Sequence, residues 1–274
     1  MTDFTGWGPT DAAAMIAVPR DDDDKYSRGV LGVVTGSARY PGAAVLGVEA
    51  ALRTGLGMVR YLGPQRATDF VLQRSPEVVT ADGRVQAWLL GSGMDAADRD
   101  PETAGRLDLA LSQDVPTVID AGALDLLDRA TGPVIITPHF GELARVLGET
   151  KEEVAANPAL ALDRAVEKLG VTVLLKGHTT YVGSPDGTRL IASSAPSWVA
   201  TAGAGDALGG ILGALVATHS ELVARDASAL AKLGAAASVL HGLAAERASG
   251  GGPLTVLDLT AAVPAVIAEL LTLR

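Results

Sequence analysis

Residues 201–210 read Thr201-Ala-Gly-Ala-Gly-Asp206-Ala-Leu-Gly-Gly210 and lead into an apolar stretch through Leu215. Small residues ahead of a helix leave backbone N–H groups free to point at an anion, and the helix dipole adds positive potential there. Gly203 and Gly205 carry no Cβ, so an anion at that mouth meets little steric resistance. A carboxylate in the same place should repel a phosphate. Asp206 makes sense if it takes a proton from a hydroxyl that then attacks, or leaves with, a phosphoryl group. The ordinary alternative is that Asp206 only caps the helix, a common use of Asp. An isolated Gly-Asp favours the cap, whereas the whole run of glycines in an α/β chain favours the base.

The α/β context comes from the sequence on either side. Val30 to Thr35 is a short continuous apolar run ending in Gly36, the pattern of a strand buried on both faces. Further strands are expected at Met58 to Leu62, Trp88 to Leu90, Thr117 to Ile119, Val134 to Ile136 and Val171 to Leu175. A hairpin, Thr179 to Val182 and Thr188 to Ala192, turns at Pro185-Asp186-Gly187. Helices are expected over 42–54, 101–112, 122–129, 140–148 and 158–169, then over 204–218, 227–248 and 258–272. Repeated β-α units imply right-handed crossovers and a three-layer α/β/α sandwich with a mostly parallel central sheet. No internal repeat or linker divides the chain, so residues 1–274 read as one domain. Residues 1–28 read as irregular or only loosely helical, with Asp21 to Asp24 an exposed run of like charges.

Composition agrees with that class. Of the 274 residues 48% are hydrophobic but only 4% aromatic, so Val, Leu, Ile and Ala must fill the core. With 32 Gly, this favours a parallel sheet under Ala-rich helices over a β-sandwich. The net charge of −10 and the lack of a Lys/Arg cluster argue against a nucleic-acid partner. They also mean that an anionic ligand needs a local binding device. No stretch reads as a signal peptide or a membrane span. Cysteine is absent, which excludes thiolate chemistry and fits a soluble cytoplasmic protein.

In an open α/β sheet, ligands sit beyond the carboxyl ends of the strands. Several unusual residues fall there: Gly36 to Gly42, Gly91-Ser92-Gly93, Asp120, Thr137-Pro138-His139 and Lys176-Gly177-His178. Each is weak alone, and their convergence on one sheet edge is the signal. No Walker loop occurs, and no G-x-G-x-x-G follows the first strand. The four histidines are too scattered for a metal cage, and His219 and His241, in Ala-rich helices, read as structural.

With these residues in hand, the chain resembles the ribokinase-like superfamily, and within it the ADP-dependent NAD(P)H-hydrate dehydratases. Four strings carry the resemblance: Tyr40 to Ala44 running into Ala50 to Gly57, Val118 to Leu124, Thr137 to Glu142, and Thr201 to Gly210. It covers Lys25 to the C-terminus and corresponds to the carboxy-terminal half of bifunctional repair proteins, whose epimerase domain is expected to be absent. The resemblance implies removal of the misplaced water from the S epimer of 6-hydroxylated NADH or NADPH (NADHX, NADPHX). Dehydration is coupled to hydrolysis of ADP (or ATP) with Mg²⁺, and a homo-oligomer is expected. Ala43, Gly93, His139 and Asp206 match substrate-contacting positions. Lys176, Gly177, His178, Thr179, Thr180, Gly203, Ala204 and Gly205 match nucleotide-contacting ones.

Two readings stay open at several positions. His139 either bonds the hydrated ring or a substrate phosphate, or is satisfied by backbone. Glu142 either orients the Mg²⁺ shell through water or is a first-turn glutamate favoured by the helix dipole. Asp120 holds metal-bound water or simply ends its strand. Trp198 packs beneath its loop or stacks on a ligand, packing being the safer expectation. The chain departs from the family pattern at Gly122, at Phe140 and over Ser193 to Ala200, and the last leaves ADP versus ATP preference open. The rival enzyme reading is a kinase of the hydroxymethylpyrimidine or hydroxyethylthiazole type. A non-catalytic nucleotide-binding module would have no use for Asp206.

Overall fold

A computed structural model describes residues 3–193 and 195–274. In chain order it begins with β1 (Thr5–Gly6), α1 (Pro9–Ala14), β2 (Val30–Val34) and α2 (Pro41–Thr54). Next come β3 (Met58–Tyr61), α3 (Gln65–Arg74), β4 (Ala87–Leu90), α4 (Pro101–Leu111), β5 (Thr117–Ile119) and β6 (Val134–Ile136). Helices α5 (Phe140–Leu147), α6 (Lys151–Ala156) and α7 (Pro158–Leu169) precede β7 (Thr172–Leu175), β8 (Thr180–Gly183) and β9 (Arg189–Ala192). The chain ends with α8 (Ala204–Thr218), α9 (Ser220–Arg225), α10 (Ala229–Ser249) and α11 (Val256–Leu271).

The nine strands form one sheet in the order β1-β9-β8-β7-β6-β5-β4-β2-β3. Pairing is parallel from β3 across to β7, and β8 alone runs against its neighbours β7 and β9. Every residue of β2, β4, β5, β6 and β7 is buried, because helices cover both faces. The strand period still sorts the side chains: Leu31 and Val33 face the core under α2, α8, α10 and α11, whereas Val30 and Val34 face the one under α4, α5 and α7. The three-layer, mostly parallel architecture is therefore as expected.

The Ala and Gly content has a use in the first of those layers. A Cβ on Gly210 would stand 2.0 Å from the carbonyl oxygen of Gly47, and one on Gly47 would stand 3.3 Å from the carbonyl oxygen of Asp206. Helices α2 and α8 therefore touch backbone to backbone, which fixes the start of α8 against the sheet.

Several local expectations need correction. Residues 3–16 are more ordered than an irregular segment, whereas 17–28 hold only turns and loop, as expected. Strand β1 pairs in parallel with β9, and Ala12 and Ala13 of α1 are fully buried. The Arg274 guanidinium donates to the carbonyls of Ala13 and Ile16, closing α1 from the far end of the chain. Such contacts have no local signature. Helices α3, α6 and α9 are additional; α3 buries only Ala67 and Val71, so its apolar face is too thin to read. The stretch expected as a helix over 122–129 is a 3₁₀ helix over Ala121–Arg129, entered through Ala121 at φ 41°.

Candidate active site

Strand β2 lies between β3 and β4, so the chain leaves it in opposite directions and opens a crevice at that switch point. The loops after β2 and β4 meet there, with Gly36 N–H donating to Ser92 O at 2.7 Å. Gly93 sits at φ 66°, and a Cβ on it would stand 2.3 Å from the Cβ of Ala43, so the expected substrate positions Ala43 and Gly93 are packed together.

The residues at the ends of β4 to β7 converge on Asp120, which is buried to 3% exposure. Its carboxylate accepts from Ser92 Oγ at 3.1 Å, Thr137 Oγ1 at 2.8 Å and Lys176 Nζ at 2.7 Å. Lys176 arrives because the β6–β7 pairing continues past the strands: its N–H donates to Pro138 O at 2.9 Å, and it bridges to His139. Lys176 Nζ also stands 4.0 Å from Glu142 Oε2. Burial pulls the Lys176 pKa down, but Asp120, Glu142 and Asp206 outweigh it and hold the ammonium above its ordinary value.

Helix α8 opens at Gly203, whose φ of 92° is the left-handed region. A Cβ there would lie 2.4 Å from Leu46 Cδ1. The backbone conformation demands glycine, and any side chain there would also have to displace Leu46. The Gly205 and Asp206 N–H groups find no acceptor among the described residues, so they form an open anion cradle. Asp206 lies in the first turn, but its carboxylate caps nothing; the alternative of a simple helix cap is not realised. Burial first, then repulsion from Asp120, pushes its pKa up to about 6, against the opposing pull of Lys176.

Beside this mouth is a cavity of about 490 Å³ lined by Lys176, Gly177, His178, Thr180, Ala204 and Gly205 among others. Of the expected nucleotide positions, Thr179 and Gly203 are outside the lining. Gly203 instead packs beneath Leu46 and Val256. Pro196, Ser197 and Val199, from the stretch read as bearing on nucleotide preference, also line it, and the walls the sequence reading missed are Leu208, Ser238 and His241. His241, expected to be structural, is buried in α10 with Nε2 3.0 Å from Ala204 O, so it fixes the first residue of α8. Burial lowers its pKa to about 4, which keeps the ring neutral. No sequence pattern links two residues so far apart. Trp198 does not pack beneath the loop: its side chain is 52% exposed, and Nε1 donates to Gly251 O at 3.2 Å. Within Ser193 to Ala200, Ser194 lies outside the described residues.

His139 and Glu142 take up a reciprocal capping box at the start of α5. His139 Nδ1 accepts from Gly141 N–H at 3.0 Å and Glu142 N–H at 3.2 Å, and Glu142 Oε2 accepts from His139 N–H at 2.8 Å. The backbone alternatives for both are thus realised. With Nδ1 accepting, Nε2 carries a proton at the exposed site edge, 3.5 Å from Glu142 Oε1. No group of three His, Asp or Glu side chains among the described residues is arranged to hold a metal ion by itself.

A helix mouth of this kind, set beyond parallel strand ends with a carboxylate in its first turn, goes with a fold of the ribokinase-like class. A ribokinase-like protein from Enterococcus faecalis superposes with a TM-score of 0.83 at 21% identity, covering 97% of this chain and 96% of that one. More narrowly, the chain belongs to the NAD(P)H-hydrate dehydratase family, whose model matches residues 31–262. It is 43% identical over 231 residues to a bifunctional NAD(P)H-hydrate repair enzyme of Mycobacterium tuberculosis, covering 79% of this chain and 47% of the relative. This chain thus spans about half the length of such bifunctional relatives. An ADP-dependent (S)-NAD(P)H-hydrate dehydratase of Neisseria meningitidis is 37% identical over 214 residues, covering 72% of each chain. An ADP/ATP-dependent NAD(P)H-hydrate dehydratase of Bacillus subtilis, co-crystallized with ATP/Mg²⁺, superposes with a TM-score of 0.86 at 24% identity, covering 98% of this chain and 100% of that one. No helix among the described residues is long and apolar enough to cross a membrane.

Proposed function

We propose that the chain dehydrates the S epimer of 6-hydroxylated NADH or NADPH at the expense of ADP, or of ATP, and returns NADH or NADPH, AMP from ADP, and phosphate. The observation that carries this reading is the uncapped Asp206 carboxylate, its pKa raised to about 6, beside two unengaged amides at the mouth of α8. Hydroxide is a poor leaving group and phosphate a good one, so the hydroxyl must first be phosphorylated. Asp206 takes the proton of the C6 hydroxyl, and the oxygen attacks the terminal phosphoryl group of the nucleotide. The Gly205 and Asp206 amides and Lys176 offset the charge that builds on the migrating group. Phosphate then departs from C6 while a proton leaves the neighbouring ring carbon, restoring the dihydronicotinamide.

In this reading the cavity lined by Lys176, Gly177, His178, Thr180 and Gly205 takes the nucleotide. His139 Nε2–H, Ala43 and Gly93 face the hydrated dinucleotide. Any Mg²⁺ would be held by the nucleotide phosphates, with Glu142 bearing on it through water, and would supply charge neutralisation. We assign the protein to the cytoplasm, as one domain, and to a homo-oligomer. The apolar groove of Val45, Leu46, Phe70 and Leu257 is the face that would join subunits.

The family match favours dehydration over a small-molecule kinase, and one experiment separates them. Incubation with hydrated NADPH plus ADP or ATP should restore reduced-nicotinamide absorbance and release inorganic phosphate. A stable phosphorylated product with no recovered absorbance would support the kinase instead. A second test concerns the phosphate cradle. A Cβ on Gly205 would lie 3.6 Å from Lys176 Nζ, an ordinary contact, so Gly205→Val should fold but crowd the anion. Calorimetry should find nucleotide affinity reduced on the order of tenfold, about 1.4 kcal/mol. Unchanged affinity would remove the phosphates from this position.

A further inference from the structure

A second cavity, about 420 Å³, opens beyond the carboxyl ends of β4 and β5, lined by Met94, Asp95, Gly122, Asp125, Glu142 and Arg145 among others. It shares no lining residue with the cavity beside α8. The two are joined through Lys176, which lines one, and Glu142, which lines the other, 4.0 Å apart. On its other side Met94 follows Gly93, which packs on Ala43.

Its charges are not equivalent. Asp95 accepts from Ala97 N–H at 3.0 Å, Asp125 pairs with Arg99 at 2.7 Å, and Glu142 is engaged by His139 N–H. Each of the three carboxylates thus has at least one partner in the protein. Arg145, one turn beyond Glu142 on the same face of α5, is exposed and has neither an ion pair nor a hydrogen-bond acceptor among the described residues. It is the one uncommitted charge in the lining, and its planar fork of donors matches a phosphate.

We infer that this cavity is the phosphate-holding subsite for the dinucleotide substrate, and that Arg145 is the side chain that grips it. The inference rests on the function proposed above. Two phosphate-bearing ligands must be held at once by a chain of net charge −10. The α8 mouth and Lys176 serve the nucleotide, so the dinucleotide needs a separate cation. The candidate groups on it are the pyrophosphate and, in the NADPH form, the 2′-phosphate.

The test is Arg145→Ala, assayed with hydrated NADH and hydrated NADPH at saturating ADP. The Michaelis constant should rise by roughly tenfold to a hundredfold for at least one dinucleotide, the loss expected for a charge-assisted phosphate contact. The kcat and the Michaelis constant for ADP should not change, and Arg145→Lys should recover part of the loss. A rise with the NADPH form alone assigns the 2′-phosphate, and a rise with both assigns the pyrophosphate. Unchanged constants for both dinucleotides, or a rise for ADP instead, overturn the inference. Calorimetry with intact NADPH keeps it separate from the dehydratase reading. If the wild type turned over neither hydrate yet bound NADPH more tightly than Arg145→Ala, the subsite would stand and the reaction would fall. If the two bound NADPH equally, the subsite would fall.

Discussion

Asp206→Asn should lower kcat by roughly 10²- to 10⁴-fold, the usual share of a positioned general base, while nucleotide affinity stays intact or improves because a negative charge beside the phosphates is gone. The pH dependence carries the same claim. In the wild type the carboxylate must be ionised to accept the hydroxyl proton, so kcat/KM should rise along an acid limb centred near pH 6 and level off above it. Stability should move the opposite way. The folded protein holds this proton more tightly than the unfolded chain, whose Asp titrates near 3.8, so stability is lost as pH rises through the interval between 3.8 and about 6. The asparagine variant escapes that loss. Its Tm should exceed the wild type's at pH 8, with up to about 3 kcal/mol at stake, and match it at pH 3. A variant that turned over normally would end the general-base assignment.

Lys176→Met should be the most destabilising change at the site. It removes the cation from the carboxylate of Asp120, leaving a buried charge with only two hydroxyl donors, a situation that costs about 3–5 kcal/mol. Function should suffer separately. Lys176 pulls the pKa of Asp206 down, so without it the acid limb should move to higher pH, and nucleotide binding should weaken. If the single variant fails to fold, adding Asp120→Asn neutralises the stranded carboxylate and should restore much of the stability. Thermal melts of the two variants beside the wild type measure the stability. Because Asp120 raises the pKa of Asp206 while Lys176 lowers it, the pH profile of the double variant is read against that of Asp120→Asn alone. An acid limb at the same pH in those two variants would mean that Lys176 does not govern Asp206.

Legibility along the chain followed the range of the interactions. Strands β2 and β4 to β7 could be read because each is a short, fully buried and mainly apolar run between turn residues. The start of helix α8 could be read because small residues, with Gly203 in the left-handed region, precede an apolar run. The hairpin of β8 and β9 was announced by Pro185-Asp186-Gly187. Helix α3 could not be read, since its two buried residues leave no apolar stripe. The N-terminal segment could not either, because β1 is held by β9 and α1 is closed by Arg274.

The same division runs through the site. That Asp206 stands in a glycine-rich helix mouth, and that the strand ends carry Asp120, His139 and Lys176, is a matter of local sequence. Tertiary structure decided how those residues engage one another. Asp120 collects Ser92, Thr137 and Lys176 because four strand ends are side by side in one parallel sheet. His139 and Glu142 cap the start of α5 reciprocally, and His241 reaches across from α10 to hold Ala204. The chain by itself determined the class of fold and the carboxylate at its centre, because backbone preference and burial period act over a few residues. The raised proton affinity of that carboxylate was decided only by folding, because burial and the charges of Asp120 and Lys176 come from chain segments far apart in sequence.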